Sequence, residues 1–290
     1  MPEITILTPA YNRGHLLGRL YQSLCNQSSK DFKWLIVDDG SQDDTKSVVQ
    51  RWFGHTDFEI DYIYKDNGGK HTALNKGIEV IDTRMTVIVD SDDVLLPDAI
   101  ETILKYEKKY GGKSLTALSF LKVFSDGSPV IGMDKDEEIS TYIQYRIKEN
   151  RPGDMAEVFY TKYLKEERFP EFKGEKFLSE DVVWIQIAKR GAFAYINKPI
   201  YVCEYLEGGL TANDKPMKFA SPKGSMLRGK RLMSPECGFK ANIKGAIIYD
   251  VYRRETESVD ELILQLSKRE KVLTSLAYPL SGYYYKKWRS

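Results

Sequence analysis

Three carboxylates, Asp90, Asp92 and Asp93, fall within four positions at the end of an apolar, β-branched run, Met85-Thr86-Val87-Ile88-Val89. A core does not hold such charges, so the pattern predicts a buried strand that delivers its C-terminal end into a site. If strand geometry persists, Asp90 and Asp92 point to the same side, close enough to share a cation. Unpaired carboxylates at that distance repel, and one would take up a proton. A hard divalent ion removes the conflict: oxygen ligands suit Mg2+ or Mn2+, commonly held by one or two carboxylates plus substrate phosphates. A plainer role also fits these residues. Asp and Ser favour turns and N-caps, and Pro97 suits the first turn of a helix. Spacing alone leaves both readings open.

The elements around this stretch favour a site. Ile4 to Thr8 reads as a strand stopped by Pro9, and a loop through Tyr11 and Arg13 leads to a helix from His15 to Asn26 with Leu16, Leu17, Leu20 and Leu24 at helical spacing. Phe32 to Val37 is a second strand, ending in Asp38-Asp39-Gly40-Ser41; Asp43 or Asp44 can cap the helix that follows towards Trp52. Ile60 to Tyr64, the loop Asp66 to Lys70, and a helix through Ala73, Leu74, Ile78 and Val80 continue the alternation, and Asp98 to Tyr110 is helical before Gly111-Gly112. Strand and helix in turn predict an α/β fold with parallel strands. In such sheets ligands bind beyond the carboxyl ends of the strands. The four polar loops at 9–14, 38–41, 67–70 and 90–93 all lie at those ends.

The second half is less regular. Thr116 to Phe124 followed by Gly127 to Ile131 predicts a strand and a hairpin, the polar segment Asp134 to Glu138 a loop or solvated helix, Leu178 to Ile185 the start of a helix capped by Ser179, and Tyr195 to Val202 a strand pair. Trp184, at helical spacing with Ile187 and Ala188, is expected in the core. From Lys215 to Arg231 there are six basic residues and no acidic one, and Tyr283-Tyr284-Tyr285-Lys286-Lys287-Trp288-Arg289 follows near the terminus. Cations beside aromatics suit the headgroup level of an anionic membrane; a solvated face is the plainer alternative.

Composition bounds the rest. The 43 basic residues nearly balance the 42 acidic ones, so no global field draws nucleic acid, and no recognition motif accompanies the local charge. Three well-separated cysteines, Cys25, Cys203 and Cys237, suggest neither a disulfide framework nor a zinc cluster. No signal peptide and no apolar run of about 20 residues is recognisable, so a cytoplasmic location is expected.

Taken together, Thr8-Pro9-Ala10-Tyr11-Asn12, Val37-Asp38-Asp39-Gly40-Ser41 with Asp44-Thr45, Asn67-Gly68-Gly69 with Ala73-Leu74-Asn75-Lys76-Gly77, Asp90-Ser91-Asp92-Asp93, and Glu180-Asp181 resemble the family 2 glycosyltransferases. The likeness is dense from Ile4 to about Asp98 and sparse beyond, with Gly208-Gly209-Leu210-Thr211 a further landmark. It implies a GT-A fold, a Rossmann-like mixed sheet flanked by helices, with a smaller helical or irregular C-terminal extension. Residues 1–112 would form the nucleotide-sugar-binding half, 113–212 the acceptor-binding and catalytic-base half, and 213–290 the basic, aromatic extension. By the same resemblance Pro9, Tyr11, Arg13, Asp38 and Asp39 would hold the nucleotide base, one Asp accepting from the imide N–H of a uracil. Asn67 belongs to that donor site, Lys70 lies near the base or diphosphate, and Asp90 near the ribose or sugar. Asp92, or Asp93 in its place, would bind Mn2+ or Mg2+, and Asp181 would be the catalytic base.

The implied activity is inverting, metal-dependent transfer of a sugar, UDP-linked by expectation, to a saccharide or polyprenyl-linked acceptor in polysaccharide synthesis, with peripheral contact at an anionic inner membrane face. A nucleotide-sugar-binding protein without transfer is the alternative. An aspartate-nucleophile hydrolase is disfavoured because its acidic pair would follow the first strand, which here ends in Thr8-Pro9, and a dinucleotide oxidoreductase because no Gly-x-Gly-x-x-Gly follows that strand.

Overall fold

The computed structural model describes residues 2–111, 114–203 and 214–289. The Gly208 to Thr211 landmark lies outside them. Two compact units emerge: Met1–Thr141, Pro152–Arg168 and Ile187–Tyr205 make the first, and Tyr142–Arg151, Phe169–Gln186 and Leu206–Ser290 the second.

The first unit is built on a nine-stranded mixed sheet. Its strands are β1 (Ile4–Ala10), β2 (Phe32–Asp38), β3 (Glu59–Tyr64), β4 (Met85–Ile88), β5 (Val94–Leu95), β6 (Leu115–Val123), β7 (Glu137–Ser140), β8 (Met155–Tyr160) and β9 (Ala192–Val202). They run in the order β3-β2-β1-β4-β8-β6-β9-β5, with β7 also on β9. Strands β1 to β4 are parallel; β8 enters antiparallel between β4 and β6. The parallel reading therefore holds for β1 to β4, while in the second half β6 and β9 are parallel and β7 and β8 pair antiparallel. Helices α1 (Gly14–Cys25), α2 (Thr45–Gln50), α3 (Lys70–Val80), α4 (Ala99–Tyr110) and α5 (Thr161–Glu166) accompany the sheet. Every residue of β1 is buried, as expected of a central strand covered on both faces. Helix α3 lies so close to it that a methyl on Gly77 would run into the Leu7 side chain.

Three local readings are corrected. Pro9 lies inside β1 rather than ending it: pairing with β4 stops at Leu7, so the missing N–H breaks no ladder bond on that side. The acidic run read as a loop or solvated helix leads into β7, an edge strand that starts at its Glu137, which is paired with Lys109 at 2.5 Å; charges are tolerated on an edge. The expected strand pair is one strand, β9, whose register against β6 slips between Phe120 and Leu121 and again before Lys122. Sequence reasoning missed strand β8 altogether, although Asn150 and Pro152-Gly153 mark a turn ahead of it.

The second unit is helical: α6 (Asp181–Ile187, its last residue counted with the first unit), α7 (Asp214–Ala220), α8 (Pro222–Leu232), α9 (Phe239–Arg253) and α10 (Lys268–Arg289). Helices α8 and α9 cross at two glycines. A Cβ on Gly229 would sit 2.6 Å from Gly245 O, and one on Gly245 would sit 2.5 Å from Gly229 O. Helix α10 buries Leu273, Ala277 and Ser281, and its Trp288 stacks on Tyr252 of α9 with ring centroids 6.3 Å apart. Trp184 is 5% exposed and packs edge-on against Phe169, as its spacing predicted. Among the described residues, no helix is long and apolar enough to cross a membrane.

Candidate active site

In the first unit the loops after β1, β2 and β3 are tied to one another by side-chain clasps. Asn12, with φ 52, donates its N–H to Ser41 Oγ at 2.8 Å and accepts from Gln42 N–H at 2.8 Å. Asp43 accepts from Gly14 N–H and from Thr45 N–H, both at 3.1 Å. It thus fixes the starts of α1 and α2, though it caps neither in sequence register. Burial opposes ionisation of Asp43, but the hydrogen bonds from Thr45 and Gly14 outweigh it and hold the carboxyl below its usual range. Gly40 (φ 84) brings the second loop against the third: a Cβ there would lie 2.7 Å from Asn67 N.

Asp38 and Asp39 are 1% and 3% exposed. Asp38 accepts from Ser41 N–H at 2.7 Å and from the Tyr62 hydroxyl at 2.5 Å; burial and this carboxylate push the Tyr62 hydroxyl well above its ordinary pKa. Asp39 accepts from Lys65 Nζ (2.7 Å), Asn67 Nδ2 (3.0 Å), Gly68 N–H (3.0 Å) and Gly69 N–H (2.7 Å). Gly69, with φ 96, is the residue before α3, so Asp39 sets negative charge at that helix's positive end. Tyr11 is 45% exposed and Arg13 half-buried on the first loop.

Strand β4 stops at Ile88, and Ser91-Asp92 form a turn, so strand alternation does not set the directions of the acids. Their partners do. Asp90 forms an ion pair with Lys70 at 2.6 Å, in the first turn of α3. Burial works against its charge, but Lys70, Lys122 and Arg13 outweigh burial and keep the carboxyl below its usual range. Asp93 is 7% exposed and accepts from the Tyr201 hydroxyl at 2.8 Å, while that oxygen accepts Asp90 N–H at 3.0 Å. Burial and the two acids raise the Tyr201 hydroxyl far above its ordinary pKa. Lys122 lies with its amine 4.1 Å from the Tyr201 ring centroid; burial disfavours its charge, yet Asp90, Asp154 and Asp93 raise it above the usual lysine range. The slipped register of β9 and its pairing with Val94-Leu95 bring Tyr201 under this turn.

Asp92 differs from its neighbours. It is half-buried and has neither a hydrogen bond nor an ion pair among the described residues. No cluster of three or more His, Cys, Asp or Glu gathers at ligand spacing among those residues. One available carboxylate suits an ion that takes its remaining ligands from water and phosphate. Asp92 is thus a carboxylate that would suit Mg2+ or Mn2+, while Asp93 accepts from Tyr201 through one of its two oxygens.

In the second unit Asp181 opens α6 with its side chain 12% exposed. Both its oxygens accept from Arg228 Nε, at 3.0 and 2.7 Å. Sequence reasoning missed Arg228, folding it into a basic run. That run divides: Lys223 pairs with Glu261 at 2.5 Å, Lys230 Nζ donates to Ile263 O at 2.8 Å, and Lys215, Lys218 and Arg228 line a cavity. Lys122 and Tyr201 were missed too, although Lys122 is the one charge in the apolar strand Leu115 to Val123, a signal in plain view.

The model for Glycosyl transferase family 2 matches residues 5–158, and the chain belongs to that family. It is similar to the GalNAc(5)-diNAcBac-PP-undecaprenol β-1,3-glucosyltransferase of Campylobacter jejuni, 31% identical over 205 residues. That match covers 68% of this chain and spans 63% of the length of the Campylobacter protein. S. aureus TarS (1-349) in complex with UDP-GlcNAc superposes with TM-score 0.65 at 17% identity, covering 97% of this chain and 80% of that one. The mannosyltransferase PcManGT of Pyrobaculum calidifontis, in complex with GDP-Man and Mn2+, gives TM-score 0.59 at 18% identity, covering 99% and 83%. At such identities the structures speak for the fold, which is GT-A as the motifs implied. Asp181 lies beyond the matched residues 5–158.

Proposed function

We propose that the chain is an inverting glycosyltransferase that moves a sugar from a nucleoside-diphosphate donor, UDP-linked, to a saccharide carried on a lipid diphosphate. The observation that carries this reading is the turn after β4, where Asp90 and Asp93 are taken up by Lys70 and Tyr201 and Asp92 is left available. The Campylobacter relative, a glucosyltransferase acting on a saccharide linked to undecaprenol through a diphosphate, supports the choice of acceptor.

Pro9, Tyr11, Arg13, Asp38, Asp39 and Asn67 form the base side of the donor site, in the half made by residues 1–112; Lys70 and Asp90 form its sugar-diphosphate side. A divalent ion at Asp92 offsets charge on the departing diphosphate when bound. Asp181, in the half spanning 113–212, takes the proton of the acceptor hydroxyl as that oxygen bonds to the anomeric carbon. The bond from that carbon to the phosphate oxygen breaks, the nucleoside diphosphate leaves, and configuration inverts.

The extension from 213 to 290 meets an anionic membrane. Helix α10 exposes Val272, Leu276, Leu280 and Tyr283 at i, i+4, i+8 and i+11, between Lys268 and Lys271 at one end and Lys286 and Lys287 at the other. Flotation with anionic liposomes should carry the protein; protein left in the soluble fraction removes this contact.

The donor reading is tested by thermal shift with nucleotide sugars, with and without Mn2+. A ligand at 100 times its Kd stabilises by about 2.7 kcal/mol, so UDP-sugars with Mn2+ should raise the melting temperature by several degrees. No shift with any nucleotide sugar under either condition would overturn it.

A further inference from the structure

We propose that the cavity walled by α7, α8 and α9 binds the diphosphate of the acceptor, seating it beside Asp181 through the shared Arg228. The inference rests on the glycosyltransferase reading and gives its acceptor a binding site.

The cavity measures about 220 Å3. Lys215 and Lys218 reach it from α7, Arg228 from α8 and Lys244 from α9. The glycine crossing makes this convergence possible, because Arg228 and Lys244 each directly precede one of the two glycines in contact. Asp181 is already engaged by Arg228. Lys244 has neither a hydrogen bond nor an ion pair among the described residues. Desolvation, then Arg228, disfavours its charge, with Lys218 adding to the effect and Asp181 opposing it, and its amine titrates below the usual lysine range. The cavity's described lining residues include four cations and no carboxylate, with Arg228 engaged by Asp181, so the lining favours an anion. A polyanion with several phosphoryl oxygens fits, and a guanidinium suits phosphate geometry. Tyr252 and Trp288 add an aromatic wall, which favours a diphosphate esterified to an apolar or ring-bearing group over free phosphate.

Diphosphate reaches this protein in two chemical forms, on a prenyl acceptor and on the nucleotide donor, so the test separates them. Trp288 supplies the signal, and Trp288→Phe identifies its share of the fluorescence. Geranyl diphosphate and inorganic pyrophosphate should give a saturable change in the full chain. The change should vanish in Trp288→Phe and weaken at least tenfold in Lys218→Met/Lys244→Met, with Lys218→Gln alone as a milder variant should the double one melt early. UDP should leave the Trp288 signal unmoved while calorimetry registers its binding in every variant. No saturable response to either diphosphate, a response undiminished in the lysine variants, or a Trp288 response to UDP stronger than to geranyl diphosphate overturns the proposal. A silent cavity in a chain that still binds UDP-sugar removes this inference alone; diphosphate binding in a chain that binds no nucleotide sugar removes the donor reading instead.

Discussion

The acid-bearing regions of the two units are charged in opposite senses. Around the turn after β4 three carboxylates gather, and lysines answer two of them: Lys70 lies on Asp90, and Lys122 lies under both Asp90 and Asp93. Asp181 is answered by Arg228, and the cavity that Arg228 lines adds Lys215, Lys218 and Lys244, with no carboxylate among its described lining residues. An acidic surplus with one available oxygen ligand suits a cation and the phosphates that come with it; a basic surplus suits an anion brought by a different substrate. Regions of opposite charge in one chain fit the two-substrate reading, whereas the nucleotide-sugar-binding alternative calls only for the first.

The sharpest way to break that contrast is Asp181→Asn. If Asp181 is the base, transfer should fall by about 10^2 to 10^4-fold, read as kcat with a saturating acceptor, while UDP-sugar affinity measured by calorimetry stays within twofold. Unchanged transfer would leave the second region without a catalytic role. Lost donor binding would mean that the replacement had spread beyond its own unit.

The two units also differ in what a methyl group does to them. At Gly229 an added Cβ meets the backbone of Gly245 and Tyr249 at 2.6 Å, and backbone cannot step aside. Gly229→Ala should cost about 1–3 kcal/mol, in the range of overpacked sites, and should weaken diphosphate binding by parting Arg228 from Lys244. At Gly77 the obstacles are the side-chain methyls of Leu7 and Val37, which can give way more readily than backbone. Gly77→Ala should cost less, and urea melts of the two variants check the order. Equal losses would show that the α8–α9 crossing is looser than its geometry indicates.

Legibility in the sequence followed the same divide. The first four strands and their helices could be read because apolar periodicity and turn residues agree there: α4 was expected from Asp98 and begins at Ala99, and the loops carrying Asp38, Asp39, Asn67 and Asp90 are where parallel strands put them. What could not be read was pairing across distance. Tyr201 is 108 residues from Asp93 in sequence and meets it through the pairing of β9 with Val94-Leu95, beside a register slip against β6. Asp90 and Asp92 were expected to share a side by strand alternation, but a turn replaces the strand and Lys70 takes Asp90. Strand β7 hid behind its charge, since edge strands relax the alternation rule that central ones obey. In the second unit local composition could only report basic residues; their convergence on a cavity depends on two glycines meeting across helices.

The smallest expected effect sharpens the contrast through pH. Asp43 clasps the starts of α1 and α2, and its carboxyl is held below the usual range. A folded pKa below the unfolded value, about 3.9, gives stability that is present above pH 4 and lost as pH falls through the folded pKa. Lys244 is also held low, but for a base the consequence reverses. Its charge disfavours the fold at neutral pH, and that cost fades as pH rises through the folded pKa towards about 10.4. Urea melts from pH 2.5 to 10.5 should therefore show Asp43→Asn flattening only the acid arm and Lys244→Met only the alkaline arm. Both side chains reach solvent, so screening limits each effect to a few tenths of a kcal/mol. Pyrophosphate should erase the alkaline difference, because an anion in the cavity removes the reason for Lys244 to be held low. A Lys244→Met profile that matches wild type with and without pyrophosphate would show that solvent already relieves the surplus of positive charge.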